Sequence, residues 1–138
     1  MENFSLKLEL RIDWSEIDLF GHVNNLSILQ YVQSARVNYL EAIGLMPSNS
    51  EIKIGPILAS TSCQFRKILF YPGNVTVCSK VDLIKNTSFR LLHEIRNDQD
   101  EISAEAHDII VLYNFDKNSK LLISDQMKKR ISDLGNMI

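Results

Sequence analysis

The sequence predicts an α+β domain in which one curved antiparallel sheet wraps a single long central helix. Three observations carry that expectation. An alternating strand-like run opens the chain, one broad apolar helical arc follows it, and four long β-rich runs joined by short turns complete it. Short connections favour antiparallel pairing of successive strands, and a sheet that size needs an apolar cover. Only one long helix is available to supply it. With 138 residues and neither repeat nor linker, the chain reads as one domain spanning 1–138.

Phe4, Leu6, Leu8, Leu10, Ile12 and Trp14 share one parity, and Ser5, Lys7, Glu9, Arg11 and Asp13 the other, the period of a half-buried strand. A polar, glycine-containing stretch then runs to Asn25. From Leu26 to Ile43, the residues Ile28, Leu29, Tyr31, Val32, Ala35, Tyr39, Leu40, Ala42 and Ile43 fall in one arc of a helix, with Gln30, Gln33, Ser34 and Glu41 opposite. Gly44 supplies the left-handed position that ends it. Strands are expected over Ile57–Phe70, Val75–Lys85, Ser88–Arg96 and Ile102–Phe115, separated by Tyr71-Pro72-Gly73-Asn74, Lys85-Asn86-Thr87 and Asn97-Asp98-Gln99-Asp100. Val75, Val77, Val81 and Leu83 share a face, as do Phe89, Leu91, His93 and Ile95. Near Asp108 the phase is ambiguous, which a bulge or two-sided burial would explain. A short helix from Ser124 carries Met127, Ile131 and Leu134 as its stripe.

Composition narrows the function. At 45% hydrophobic, 23% charged and net charge -2, the chain has no overall pull toward nucleic acid or an anionic membrane. No apolar run approaches the roughly 20 residues of a membrane span. Met1 to Arg11 alternates and so lacks a signal peptide's apolar core, and a cytoplasmic location is the expectation. Cys63 and Cys78 form no metal-ligand pattern and read as buried reduced thiols, so no metal or redox cofactor is implied. His93 and His107, in strands, read as ordinary packed or surface histidines. Arg36 projects into the apolar arc, between Val32 and Leu40, and needs either a carboxylate partner near the loop or across a subunit boundary, or a substrate.

Chemistry concentrates in Trp14-Ser15-Glu16-Ile17-Asp18-Leu19-Phe20-Gly21-His22-Val23-Asn24-Asn25, between a strand end and a helix start. N–H groups there lack intrahelical partners and can hold a developing oxyanion. Asp18 and His22 bring a carboxylate and an imidazole to that end, and Gly21 permits a tight turn or close ligand approach. Unaided, this supports acyl or carbonyl chemistry, against the plainer reading that Asp18 and Asn24 merely cap turns and the helix.

Asp18-x-x-Gly21-His22-Val23-Asn24-Asn25, a helix carrying Ala35-Arg36, the turn Tyr71-Pro72-Gly73-Asn74 into Val75-Thr76-Val77, and Lys85-Asn86-Thr87-Ser88-Phe89 together resemble the 4-hydroxybenzoyl-CoA-thioesterase-like branch of the hotdog-fold thioesterases. The likeness runs from about Leu6 to Phe115. It implies hydrolysis of an acyl-CoA or acyl-carrier-protein thioester, with Asp18 as nucleophile or general base. It also implies the Asn25 N–H as oxyanion donor, His22 in a catalytic or structural role, and Gly21, Asn24 and Lys85 at the substrate, Lys85 against the CoA phosphates. Arg66, Lys67 and Arg90 are further phosphate candidates, with solvated strand charge the plainer reading. A homodimer or homotetramer is implied as well. Two positions depart from many relatives: Ile28 stands where a tyrosine is common, and Gln33 where a glutamate is. The alternatives are an enoyl-thioester hydratase or dehydratase on the same fold, and a non-catalytic acyl-CoA-binding domain.

Overall fold

The computed structural model describes residues 4–46 and 53–135. Residues 1–3, 47–52 and 136–138 of the expected single domain, the start of the N-terminal alternation among them, lie outside the described residues. The elements are β1 (Leu6–Arg11), a 3₁₀ turn (Trp14–Glu16), α1 (Asn25–Ala42), β2 (Ile54–Phe65), β3 (Asn74–Ile84), β4 (Ser88–Arg96), β5 (Ile102–Asn114), β6 (Ser119–Lys120) and α2 (Asp125–Gly135). They form an α+β domain with one antiparallel sheet and two helices. No described helix is long and apolar enough to cross a membrane.

The sheet order is β1-β3-β4-β5-β2, with β6 on β5. β3, β4 and β5 pair as successive hairpins, as expected. β2 does not pair with β3, although they are neighbours in sequence. It crosses to β5 and becomes an edge strand. It ends at Phe65 rather than Phe70, because the Arg66 and Lys67 N–H groups both turn to the Ser103 carbonyl, at 2.8 and 3.0 Å. β1 stops at Arg11, short of the expected Trp14, which is 72% exposed in the 3₁₀ turn. Asp13 causes the break: its side chain accepts the Ser15 N–H at 3.0 Å while Glu16 Oε1 accepts the Asp13 N–H at 2.8 Å, a capping box.

α1 packs on β1, β3 and β4, burying Ile28, Tyr31, Val32, Ala35, Tyr39 and Leu40. Leu29 and Ala42, placed in the apolar arc from sequence, are exposed. Gly44, at φ +79°, closes the helix in a Schellman motif, with Leu45 N–H on the Leu40 carbonyl and Gly44 N–H on the Glu41 carbonyl. The phase of β5 is continuous: Ala104, Ala106, Asp108, Ile110 and Leu112 all face inward. The irregularity lies in its partner, a bulge between Leu58 and Ser60 opposite Ile109–Ile110. A second bulge between Val81 and Leu83 rotates Leu83 off the face it was expected to share with Val81.

The core divides into two apolar clusters. One joins the front of α1 to Val75, Val77, Ile95 and Ala106, and the other joins its rear to Phe89, Leu91, Ile110 and α2. Between them crosses a polar row from four strands and the helix: Ser79, His93, Asp108, Thr61 and Arg36. Cys78 is buried and Cys63 half-buried, both unbridged, and burial raises the pKa of each thiol.

Candidate active site

The segment before α1 folds into a small, fully bonded hairpin. Ile17 and Val23 pair across it, and residues 18–22 form its tip. Asp18 N–H donates to the His22 carbonyl at 2.8 Å, and Gly21 N–H to the Asp18 carbonyl at 3.0 Å. Gly21 adopts φ +82°, which glycine takes without a Cβ clash. Inside this turn Asp18 Oδ1 accepts the N–H groups of Phe20, at 2.9 Å, and His22, at 3.2 Å. The carboxylate is thereby oriented, and among the described residues no donor reaches its second oxygen.

Next to it, α1 opens with one N–H unused. Asn24 is the N-cap. Its Oδ1 accepts the Leu26 N–H at 2.8 Å, and its carbonyl accepts those of Ser27, at 2.9 Å, and Ile28, at 3.2 Å. The Asn25 N–H has no acceptor among the described residues, and it carries the partial positive charge of a helix start.

Asp18, His22, Asn24 and Asn25 line one cleft of about 420 Å³, with Val23 and Ile28. Its opposite wall is Phe65–Leu69, the segment expected to continue β2, tied back where Val23 N–H donates to the Leu69 carbonyl at 2.9 Å. Sequence reasoning missed that wall as a unit. The basic pair Arg66-Lys67 between apolar neighbours was its available signal. Both cations are engaged: Arg66 Nε lies 3.0 Å from Glu105 and Lys67 Nζ 2.6 Å from Glu101. The His22 ring meets Phe70 edge-on, with centroids 5.5 Å apart. Gly21 shapes the hairpin tip but does not line the cleft. Lys85 lies elsewhere, in a small hollow with Leu83, Ser88, Phe89 and Arg90. It follows the far end of β3, whose eleven residues span roughly 30 Å. Arg90 is held by Asp82 at 2.8 and 3.1 Å.

The polar row holds a second arrangement that resembles a nucleophilic triad. Asp108 accepts from Arg36 Nε at 2.9 Å and Nη2 at 3.2 Å, from Thr61 Oγ1 at 2.8 Å and from His93 Nε2 at 2.8 Å. Burial alone would raise the Asp108 pKa, but the hydrogen bonds from His93, Arg36 and Thr61 outweigh it and hold the carboxyl at about 2. His93 Nε2 donates to the ionised Asp108, and the ring's Nδ1 lies 2.7 Å from the Ser79 hydroxyl. Ser79, His93 and Asp108 are thus linked as serine hydrolases link theirs, with the ring nitrogens exchanged. All three are buried, and none lines the cleft at Asp18. The row is structural, and the partner that Arg36 required is Asp108 on β5 of the same chain, not a carboxylate near the loop or across a subunit boundary. His93 is packed, as expected, and His107 is exposed. Among the described residues no three His, Cys, Asp or Glu side chains cluster to hold a metal ion.

A family profile described as Thioesterase-like superfamily matches residues 12–131. The chain belongs to that superfamily. A Bacillus subtilis protein, YsmA, described as uncharacterized, is 24% identical over 89 residues, a stretch that spans 64% of this chain and 59% of that protein. Among solved structures, a Thermus thermophilus thioesterase complexed with coenzyme A and Zn superposes with TM-score 0.82 at 20% identity, covering 100% of this chain and 99% of that one. A DHNA-CoA thioesterase from Staphylococcus aureus gives TM-score 0.79 at 18% identity, covering 94% and 92%. A gentisyl-coenzyme A thioesterase gives 0.76 at 24% identity, covering 89% and 99%. At these identities the superpositions show a shared fold.

Proposed function

We propose that this superfamily member is an acyl-CoA thioesterase of the hotdog fold, its sheet wrapped around α1, and that Asp18 and the Asn25 N–H form its reaction centre. The single observation that carries the reading is their pairing: an oriented carboxylate with one uncommitted oxygen and an unused helix-end N–H open on one cleft. A thioester carbonyl directed at the N–H would be polarised by it, an effect typically worth ~2.7–4 kcal/mol as the oxyanion develops. Asp18 would then attack the carbonyl carbon, giving a mixed anhydride that water hydrolyses, or deprotonate an attacking water. His22, backed by Phe70, would border the leaving thiolate. The names of the DHNA-CoA and gentisyl-coenzyme A thioesterases favour CoA over a carrier protein as the thiol.

The test is thiol release from a panel of aromatic and aliphatic acyl-CoAs, read with a thiol reagent. Release that tracks added enzyme supports the reading. Hydration of an enoyl-CoA without thiol release would make it a hydratase, and binding without turnover an acyl-CoA sensor.

We further propose that the working unit is at least a homodimer. β2 is a twelve-residue edge strand with Ile54, Leu58 and Phe65 exposed, and such an edge invites pairing with another strand. Phe65 also lines the cleft, so a partner seated there would border the site. Lys85 can serve a cleft only across a subunit boundary, and we assign it there to the CoA phosphates.

A further inference from the structure

Glu16 and Tyr31 are not among the residues lining the cleft at Asp18, yet they join the arm that carries Asp18 to the helix that carries Asn25. The Tyr31 hydroxyl donates to Glu16 Oε1 at 2.7 Å. The same oxygen accepts the Asp13 N–H at 2.8 Å, and the Glu16 carbonyl accepts the Asn24 N–H at 2.8 Å. Glu16 is therefore fastened to the turn before it, to the helix cap after it and to α1 itself. Tyr31 lies six residues beyond Asn25, roughly 9 Å along the axis, and is buried among Ile12, Val23, Ile28 and Leu69.

The loop's other hydrogen bonds to α1 stop in its first turn, where Leu26, Ser27 and Ile28 all donate to Asn24. Among the described residues, the Glu16–Tyr31 bond alone reaches from the Asp18 arm into the body of the helix. It is also a durable one. Burial raises the Tyr31 pKa and the neighbouring carboxylate raises it further, so the phenol remains a donor across the physiological range. A phenol donating to a carboxylate is the stronger, charge-assisted kind of hydrogen bond.

We propose that Glu16 and Tyr31 are positioning residues that hold the Asp18 carboxylate at a fixed reach from the Asn25 N–H. This rests on the assignment of those two groups as the reaction centre. A carboxylate and an oxyanion donor act on one carbonyl only when both are placed to a fraction of an ångström, and a 1 Å misplacement can cost about 10²-fold in rate. The hairpin fixes the local geometry of Asp18 and its join to the cap at Asn24, and the tether adds a second constraint from the body of α1.

The experiment compares Tyr31→Phe, Glu16→Gln, Glu16→Ala and the double variant Tyr31→Phe/Glu16→Ala with the parent. The readouts are kcat and KM for one good acyl-CoA and amide hydrogen exchange over residues 17–25. Tyr31→Phe is expected to lower kcat about tenfold with KM within about twofold, a loss confined to the transition state. Glu16→Gln keeps an acceptor oxygen and should retain most of the rate. The double variant should be little worse than Glu16→Ala, since the two side chains act as one unit. Exchange over 17–25 should quicken several-fold in Tyr31→Phe, with β4 and β5 unchanged.

A folded Tyr31→Phe variant with parental kcat overturns the proposal, as does one that loses only thermal stability. Unchanged exchange over 17–25 overturns it equally. If the parent releases thiol from no substrate while the exchange effect is present, the thioesterase assignment fails and the tether stands on its own.

Discussion

Asp18 commits one oxygen to its own turn and leaves the other to the cleft, a division of labour that an asparagine can only half reproduce. Asp18→Asn keeps the acceptor for the Phe20 and His22 N–H groups, so the hairpin should survive. Hydrolysis should fall by at least ~10²-fold, measured as thiol release by a variant with parental circular dichroism. A folded variant hydrolysing at the parental rate would remove Asp18 from the mechanism. At this scale the grouping of four candidate residues on one cleft was legible in sequence. Asp18, His22, Asn24 and Asn25 fall within eight residues, and a strand end followed by a helix start places them by local rules. The Phe65–Leu69 wall was not legible, because a cleft's second side comes from a segment that begins 40 positions beyond Asn25 in the chain. Arg36 shows the same limit from inside the core. Its position on an apolar arc announced the need for a partner, but nothing local could name Asp108, 72 positions on.

Among elements, the attachment of α1 to the sheet offers the sharpest test, because one ion pair with a fully buried carboxylate, Arg36–Asp108, crosses between them. Removing one partner of such a pair leaves an uncompensated charge and typically costs ~3–5 kcal/mol. Asp108→Asn should therefore lower stability by about that much, seen as a reduced urea midpoint at pH 7. The acid limb gives an independent check. The Asp108 pKa lies below its unfolded value, falling from 3.8 to about 2. Its contribution is therefore fully present above pH ~4 and is lost as pH falls through about 2, to the extent of roughly 2–3 kcal/mol. The parent should lose thermal stability across that window, and Asp108→Asn should show a shallower loss from a lower start. An identical acid limb in both would show that Asp108 is not the group responsible. The long elements were readable from period, residue type and turn signals, β4 to the residue, while the 3₁₀ turn and the two-residue β6 were not. Pairing was not. Short connections suggested that β2 would lie beside β3, but residues 66–73 turn away to close the cleft and β2 goes to the opposite edge.

For the whole molecule, the expected assembly sets the remaining predictions. A chain of 15.8 kDa should sediment at micromolar concentration as a dimer or larger. A fully active species of one chain's mass would contradict that. Lys85→Ala should raise KM for acyl-CoA several-fold with kcat little changed. The effect should shrink with ionic strength, since exposed charges are screened beyond ~8 Å at physiological salt, and vanish with an acyl-pantetheine that lacks the nucleotide phosphates. An equal loss on both substrates would place Lys85 in the fold rather than at phosphate. The buried polar row also decides how the protein would behave toward covalent reagents. Ser79 has its histidine and aspartate in line, but the sheet and α1 close over it, so an organophosphorus label cannot reach the hydroxyl. The raised thiol pKa values of Cys63 and Cys78 likewise leave little thiolate for alkylation at neutral pH. In a lysate profiled with serine- and cysteine-directed probes, Ser79, Cys63 and Cys78 should therefore label weakly in the folded protein.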